Sequence, residues 1–425
     1  MNPFHNRVRW LLIGWVFVIS AVAYLDRVNI SIAAKSIQQE LKLDNIQLGW
    51  VFSAFVLGYA LFQAPGGRLA DRFGPRRIVA AGAVWWAVFT SITALAGPHL
   101  VWPLGVLLGS RFLLGIGEAV LYPASNLLVA RWIPWSERGA ATGIIFAGVG
   151  GGAALAPPLV TYILLHYGWR WSFWASAGLG VAAGAVWLLI ARDRPEAHPW
   201  VSAAEAGYIR DGIPAATLKA RPLPWRALLG SRDLRAVTLS YFTYGYAAYI
   251  FFTWFFLYLT NVRGLDLKSS SYYSMLPFLA MSTCSPFGGW LSDRVSRRWG
   301  RYVGRCWLGA CGLLLSAGFM AFGIFAHDAA TAAFLLAGGA GSLYLAQSSY
   351  WSVSADLAGP SAGSASGLMN MGAQLGSALT ATATPMIAAH FGWPASFVVT
   401  AGLLVLGAAA WFWVDPNREI HLGRE

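Results

Sequence analysis

GGRLADR at residues 66–72 returns as GGWLSDR at residues 288–294, 222 positions further on. Three more echoes keep almost the same offset. GAATG at 139–143 matches GSASG at 363–367, HYGW at 166–169 matches HFGW at 390–393, and GIGE at 115–118 matches GAGS at 339–342, each 224 positions apart. Four motifs at nearly one offset mean that the chain carries one architecture twice. The seam between the copies is the longest polar insert, residues 192–234, which predicts two halves at 1–191 and 235–425.

The medium is legible from composition. The chain has 425 residues, 57% of them hydrophobic and only 11% charged, whereas a soluble domain carries about a quarter charged residues. Mean hydropathy is +0.54. Apolar stretches of about 20 residues, long enough to cross a bilayer as helices, recur along the whole chain. Short alternating strands of a membrane barrel are not visible. The predicted fold is an all-α polytopic membrane protein with twelve transmembrane helices in two six-helix bundles. The spans fall at roughly 10–34, 46–68, 78–97, 101–128, 138–166, 171–191, 235–260, 271–291, 303–325, 330–355, 362–389 and 394–414.

Thirty Lys and Arg against eighteen Asp and Glu give a formal net charge of +12. Such a balance can mark a nucleic-acid partner, but here the basic residues follow topology. With both termini cytoplasmic, the inward loops and tails hold about 23 Lys and Arg and the outward loops about 5. The reading is therefore a plasma-membrane protein, in a bacterium the inner membrane, whose basic face meets anionic headgroups. Cys284, Cys306 and Cys311 are too few and too irregular for a disulfide framework or a zinc site. No metal, phosphate-loop or nucleophile motif appears, so no cofactor and no enzymatic activity are expected. The seven histidines, His5 and His421 among them, are scattered in loops and near span ends.

Away from the loops and span ends, four charges interrupt the apolar runs: Asp26, Arg27, Arg111 and Glu118. Asp26 and Arg27 also argue against a cleaved secretion signal, because they break the first run after a full span's length. An Asp or Arg at mid-bilayer costs about 2.5–3.5 kcal/mol, so these groups should face the interior and find partners. Arg111 and Glu118 are seven apart, which returns them to nearly one helix face but leaves them too far apart for an ideal direct bond. Each is expected to meet a group from another helix. A desolvated carboxylate near an arginine can load and release a proton, and a guanidinium offers a planar fork that suits a carboxylate. The second half has no such charges. Its spans carry Tyr241, Tyr244, Tyr249, Gln347, Ser348, Trp351, Asn370 and Gln374 instead.

GRLADRFGPRR at 67–77 resembles the loop motif between helices 2 and 3 of the major facilitator superfamily, and its partial second copy follows span 8, as in that family. The resemblance implies a gating role for Gly67, Asp71, Arg72, Arg76, Asp293 and Arg294. Read physically, Asp71 can pair with a basic residue or cap a helix end across the interface between the halves. YLDRVNISIA at 24–33, RFLLGIGEAVLYPA at 111–124 and DRPEAHPWVSAAE in the central loop look like the anion:cation symporter branch, whose members carry hexuronates, galactonate and glucarate with protons. That likeness implies proton coupling through Asp26, Glu118 and Arg111, anion binding at Arg27, and substrate contacts at Tyr24, Tyr59, Ser348, Trp351 and Asn370. In the SSYWS register, Gln347 and Ser349 compete with Ser348. One departure stands out: FAGVGGGAALAPP at 146–158 offers a glycine run where galactonate-type relatives carry an amide. A glycine run permits close helix packing or leaves room in a cavity. The expected activity is proton-coupled import of a small organic anion, a hexuronate, aldonate or aldarate, by a functional monomer with no nucleic-acid partner. A proton-coupled antiporter that exports organic compounds is the alternative.

Overall fold

The computed structural model describes residues 7–43, 45–213, 223–255, 258–265 and 267–420. Part of the predicted central loop, residues 214–222, and the histidines His5 and His421 lie outside the described residues.

The chain is helical almost throughout. The first half consists of α1 (Val8–Leu41), α2 (Asn45–Phe73), α3 (Pro75–Leu95), α4 (Pro103–Ala119), α5 (Leu121–Trp132), α6 (Arg138–Tyr167) and α7 (Trp169–Ile190). Two short helices of the connecting loop follow, α8 (Ala203–Asp211) and α9 (Trp225–Gly230). The second half consists of α10 (Arg232–Thr253), α11 (Leu267–Trp299), α12 (Leu308–Phe325), α13 (Ala329–Ala358), α14 (Ala362–Phe391) and α15 (Trp393–Ala410). Counting α4 and α5 as one rod interrupted at Val120, twelve rods cross the molecule among the described residues, one for each predicted span.

Turn chemistry sets where rods end. HYGW and HFGW make the same corner: Gly168 and Gly392 sit at φ 86° and 81°, each closing one helix and opening the next. Only glycine enters that region without strain. Pro75 opens α3 in the first turn, where its missing N–H costs nothing.

Among the described residues, eight stretches are long and apolar enough to cross a bilayer by composition alone, one of them covering α13 and part of α14 together. Among the described residues, the rods α2, α10 and α11 hold no stretch that meets this measure. Of these, α2 packs on α14 and α11 on α6, across to the other half.

Packing repeats as the sequence does. In the first half α1 lies on α6, α2 on α4, and α3 on α7; in the second, α10 lies on α14, α11 on α13, and α12 on α15. The halves meet where α2 lies on α14 and α6 lies on α11. Large apolar side chains such as Trp85, Leu159, Leu189, Phe322 and Leu406 remain exposed on the outside of the rods, as a lipid-facing surface requires. At the end of α1 opposite the chain termini, past its apolar stretch, Arg170 donates to both carboxylate oxygens of Glu40 at 2.8 and 2.7 Å. That bond holds the Glu40 carboxyl below its ordinary range.

The glycine run settles its role by contact. A Cβ on Gly148 would meet the Phe17 carbonyl of α1 at 2.5 Å, and one on Gly150 would meet the Phe278 carbonyl of α11 at 2.6 Å. The run lets α6 pack closely on both neighbours; it is not an opening.

Candidate functional site

Asp26 and Arg27 diverge, as adjacent helical residues about 100° apart must. Asp26 is 1% exposed and turns into its own half, where the Thr90 hydroxyl of α3 donates to Oδ2 at 2.6 Å. Its other oxygen has no partner. Arg27 turns the other way. Its Nη2 donates to Glu118 Oε2 at 3.0 Å and its Nη1 to the Tyr24 hydroxyl at 3.2 Å. The Arg27 side chain keeps 19% exposure, against 1% for Glu118.

Rings enclose this guanidinium. Its carbon lies 4.5 Å from the Tyr24 centroid, 4.4 Å from Tyr59 and 4.9 Å from Phe55. Such contacts stabilise a desolvated cation by up to about 2 kcal/mol each. Arg111 comes to the same place from α4, 4.9 Å from the centroid of the same Phe55. It is 1% exposed, and its Nε and Nη1 have no hydrogen-bond partner. Among the described residues no carboxylate lies within ion-pair distance of Arg111. Glu118 thus meets a group from another helix, Arg27 of α1, as the seven-residue spacing required, and Arg111 meets a ring of α2.

The second half presents α13. Gln347 Nε2 and Trp351 Nε1 both donate to the Tyr241 hydroxyl of α10, at 2.8 and 2.9 Å. With about 100° per residue, Ser348 stands one step from the Gln347–Trp351 face and Ser349 stands nearly opposite it. Both hydroxyls are fully buried without partners. Asn370 of α14 donates to Gln63 Oε1 of α2 at 2.9 Å, a direct bond between the halves. Trp351 also packs across the interface, 5.0 Å from Phe146 and 6.0 Å from Tyr122. These rings form a floor about 10 Å above the end of α13, on the side of the termini. On the opposite side Tyr24 meets Phe252 of α10 at 6.3 Å.

Below the floor the halves are latched, and the repeated motifs pair crosswise. Asp71, from the first GGRLADR copy, accepts the backbone N–H groups of Gly363 and Ser364 at 3.0 and 2.9 Å, together with the Ser364 hydroxyl. Asp293, from the second copy, accepts those of Gly139 and Ala140 at 2.9 and 2.7 Å. Each acid therefore caps the first turn of the opposite half's GAATG-type helix, where the helix dipole favours an anion. Gly67 stands against the Gly363 backbone and Gly289 against that of Gly139, with no room for a Cβ. The other motif residues do not cross the interface. Arg76 donates to the Leu188 carbonyl at the end of α7, while Arg72 and Arg294 rest over Phe73 and Trp290.

Several participants had no signal in the sequence. Phe55 and Thr90 are ordinary members of their runs until the fold brings a charge to them. Arg138, Asp356 and Arg305 lie at span ends, where charge is cheap. Yet Arg138 binds Asp356 across the interface, and Arg305 binds Asp293 at 2.8 Å and the Trp135 carbonyl at 2.9 Å. All three side chains are buried.

Two like bundles, latched at one face and holding buried charge at mid-depth between them, make the architecture of a secondary transporter. A family model described as Major Facilitator Superfamily matches residues 16–362 and 295–424. The chain belongs to that superfamily and is a transporter, not an enzyme. It is 34% identical over 415 residues to a "Probable sulfoacetate transporter" of Cupriavidus necator, covering 96% of this chain and 94% of that one. It is 29% identical over 405 residues to a hexuronate transporter of Bacillus subtilis, covering 94% and 93%. It is 31% identical over 303 residues to a D-galactonate transporter of Escherichia coli, covering 69% of each. Among solved structures, the proton:xylose symporter XylE bound to 6-bromo-6-deoxy-D-glucose superposes with a TM-score of 0.75 at 16% identity over 98% of both chains. FucP in its outward conformation gives 0.68 at 16% identity, over 96% of this chain and all of that one.

Proposed function

We propose that this protein imports a small organic anion together with protons by alternating access. The observation that carries the reading is the Arg27–Glu118 pair at 3.0 Å inside the aromatic enclosure. Arg27 is the anion anchor, and in this state its fork is occupied by Glu118. An incoming carboxylate or sulfonate must displace that carboxylate, and protonating Glu118 removes the competitor. Proton and anion then favour one another, and by linkage the coupling runs equally in both directions. That cooperativity is the logic of symport; an antiporter needs the two to exclude each other.

Asp26 is the second proton carrier. Its hydrogen bond from Thr90 holds it beside the site but away from the anion. Arg111, near both acids and bound to neither, keeps the cluster positive when they are protonated. Tyr24 and Tyr59 line the anion's approach, and Ser348 offers a free hydroxyl. Trp351 supplies its ring face, because its N–H is committed to Tyr241, and Asn370 must leave Gln63 before it can meet substrate. Substrate class follows the relatives' names, a sugar acid such as a hexuronate, aldonate or aldarate, with a sulfonate as the competing chemistry. The basic face with both termini is cytoplasmic, by the distribution of Lys and Arg, and the protein works as a monomer in the lipid bilayer, with the anion and protons as its other partners.

The test is uptake by the purified protein in liposomes. Sulfoacetate, galactonate, glucuronate and glucarate are offered with and without an inward proton gradient. Accumulation of any of them above equilibrium only with the gradient supports the proposal. Accumulation driven by the opposite gradient would make the protein an antiporter, and no gradient response for any would defeat proton coupling.

A further inference from the structure

We infer that Phe55 is a positioning residue that holds Arg27 and Arg111 apart and in register through simultaneous cation–π contact. The deduction rests on the proposed use of Arg27 as the anion anchor only for its transport arm. Both guanidinium carbons lie 4.9 Å from the Phe55 centroid. Phe55 is 4% exposed and Arg111 1%, so water does not screen that contact, while Arg27 is partly exposed. It stands in α2 one turn before Tyr59 and stacks on that ring with centroids 5.8 Å apart and planes 21° apart. The second ring closes over Arg27 from the same helix face.

The need for such a residue follows from the charges. Two cations in a low-dielectric interior repel each other. Arg27 has Glu118 as a direct counter-ion. Arg111 has none within ion-pair distance among the described residues, and two of its nitrogens have no hydrogen-bond partner. What the structure gives Arg111 is the Phe55 ring. A ring quadrupole attracts a cation without binding a proton and without spending the guanidinium's N–H groups. A carboxylate in that place would stop attracting the cation once protonated and would compete with the anion; an aliphatic side chain would fill the space and attract neither cation. Phenylalanine keeps both forks charged, spaced and free to donate in every protonation state of Asp26 and Glu118.

The test separates electrostatics from packing. Phe55 is replaced by 4-fluoro- and 3,4,5-trifluorophenylalanine, which keep the shape but weaken the quadrupole in steps. Thermal melting of the purified protein should fall stepwise with fluorination. The same substitutions in an Arg27→Met/Arg111→Met background should change melting by much less. Equal changes in both backgrounds, or no trend with fluorination, would overturn the inference without reference to any substrate. The transport arm uses sulfoacetate and galactonate counterflow with equal pH on both sides. Phe55→Leu should raise the half-saturating concentration about tenfold, the order expected for one lost buried cation–π contact, and Phe55→Tyr should restore it. A Phe55→Tyr variant as impaired as Phe55→Leu would count against the quadrupole. If the wild-type protein carries neither anion, the substrate reading fails and the melting arm still decides the role of Phe55.

Discussion

Replacing Asp71 by Asn should open the face that carries the termini. Asp71 accepts two backbone N–H groups of α14 and the Ser364 hydroxyl. Asparagine offers one acceptor oxygen, uncharged, and turns an amino group towards donors. Two charge-assisted bonds are lost, each worth about 1.5–3 kcal/mol. The closed state should therefore lose roughly 3–6 kcal/mol relative to the open one, a shift of about 10²- to 10⁴-fold in their ratio. Asp293→Asn should shift it by a similar amount, and because it also takes the carboxylate at 2.8 Å from Arg305 of the same half, it should lower the stability of the fold as well. Both latches break in the same movement, so their effects on that equilibrium should sum if the sites are independent. The assay is pulsed electron–electron distance measurement between nitroxides at Phe73 and Arg298, on the exposed ends of α2 and α11, with Cys284, Cys306 and Cys311 replaced. The distance distribution should lengthen in each variant and most in the pair. Unchanged distances in both single variants, with the fold intact, would refute the idea that the crosswise caps hold this face shut.

Four further outcomes follow from the same geometry. Gly67→Ala should lengthen the same distance, because its Cβ has no room against the Gly363 backbone; a wild-type distribution would mean that α2 and α14 separate at little cost. Glu118→Gln and Asp26→Asn should abolish gradient-driven accumulation in liposomes while sparing exchange, and Arg27→Ala should abolish binding; normal anion binding by Arg27→Ala would remove the anchor assignment. Ser348→Ala should weaken binding of a hydroxylated anion several-fold and Ser349→Ala should not, a contrast that isothermal titration reads directly. The partly exposed Glu40–Arg170 tie should contribute less than about 1 kcal/mol. Its acid has a depressed pKa, so that contribution is present at neutral pH and is lost as the pH falls through the folded value; melting of Glu40→Gln and wild type should converge in acid and differ at pH 7.

The sequence by itself determined the medium, the number of rods and the doubling of the chain. These depend on composition, run length and an offset that survives in four motifs, all local or additive properties. It also picked out Asp26, Arg27, Arg111 and Glu118, because charge inside an apolar run is costly wherever the run folds. The pairing among them was decided by tertiary structure alone. Which of two adjacent residues faces the other half depends on how α1 is rotated in its bundle, and packing against α6 and α7 fixes that rotation. The crosswise latch was half legible: the repeats were plain, but that copy one caps the helix belonging to copy two follows only from bringing the bundles face to face. Arg138, Arg305 and Asp356 were hidden because a charge at a span end is ordinary until the fold buries it. Phe55 was hidden for the opposite reason. A phenylalanine in a membrane helix signals nothing, and only the arrival of two guanidiniums from α1 and α4 at one ring gives it a part to play.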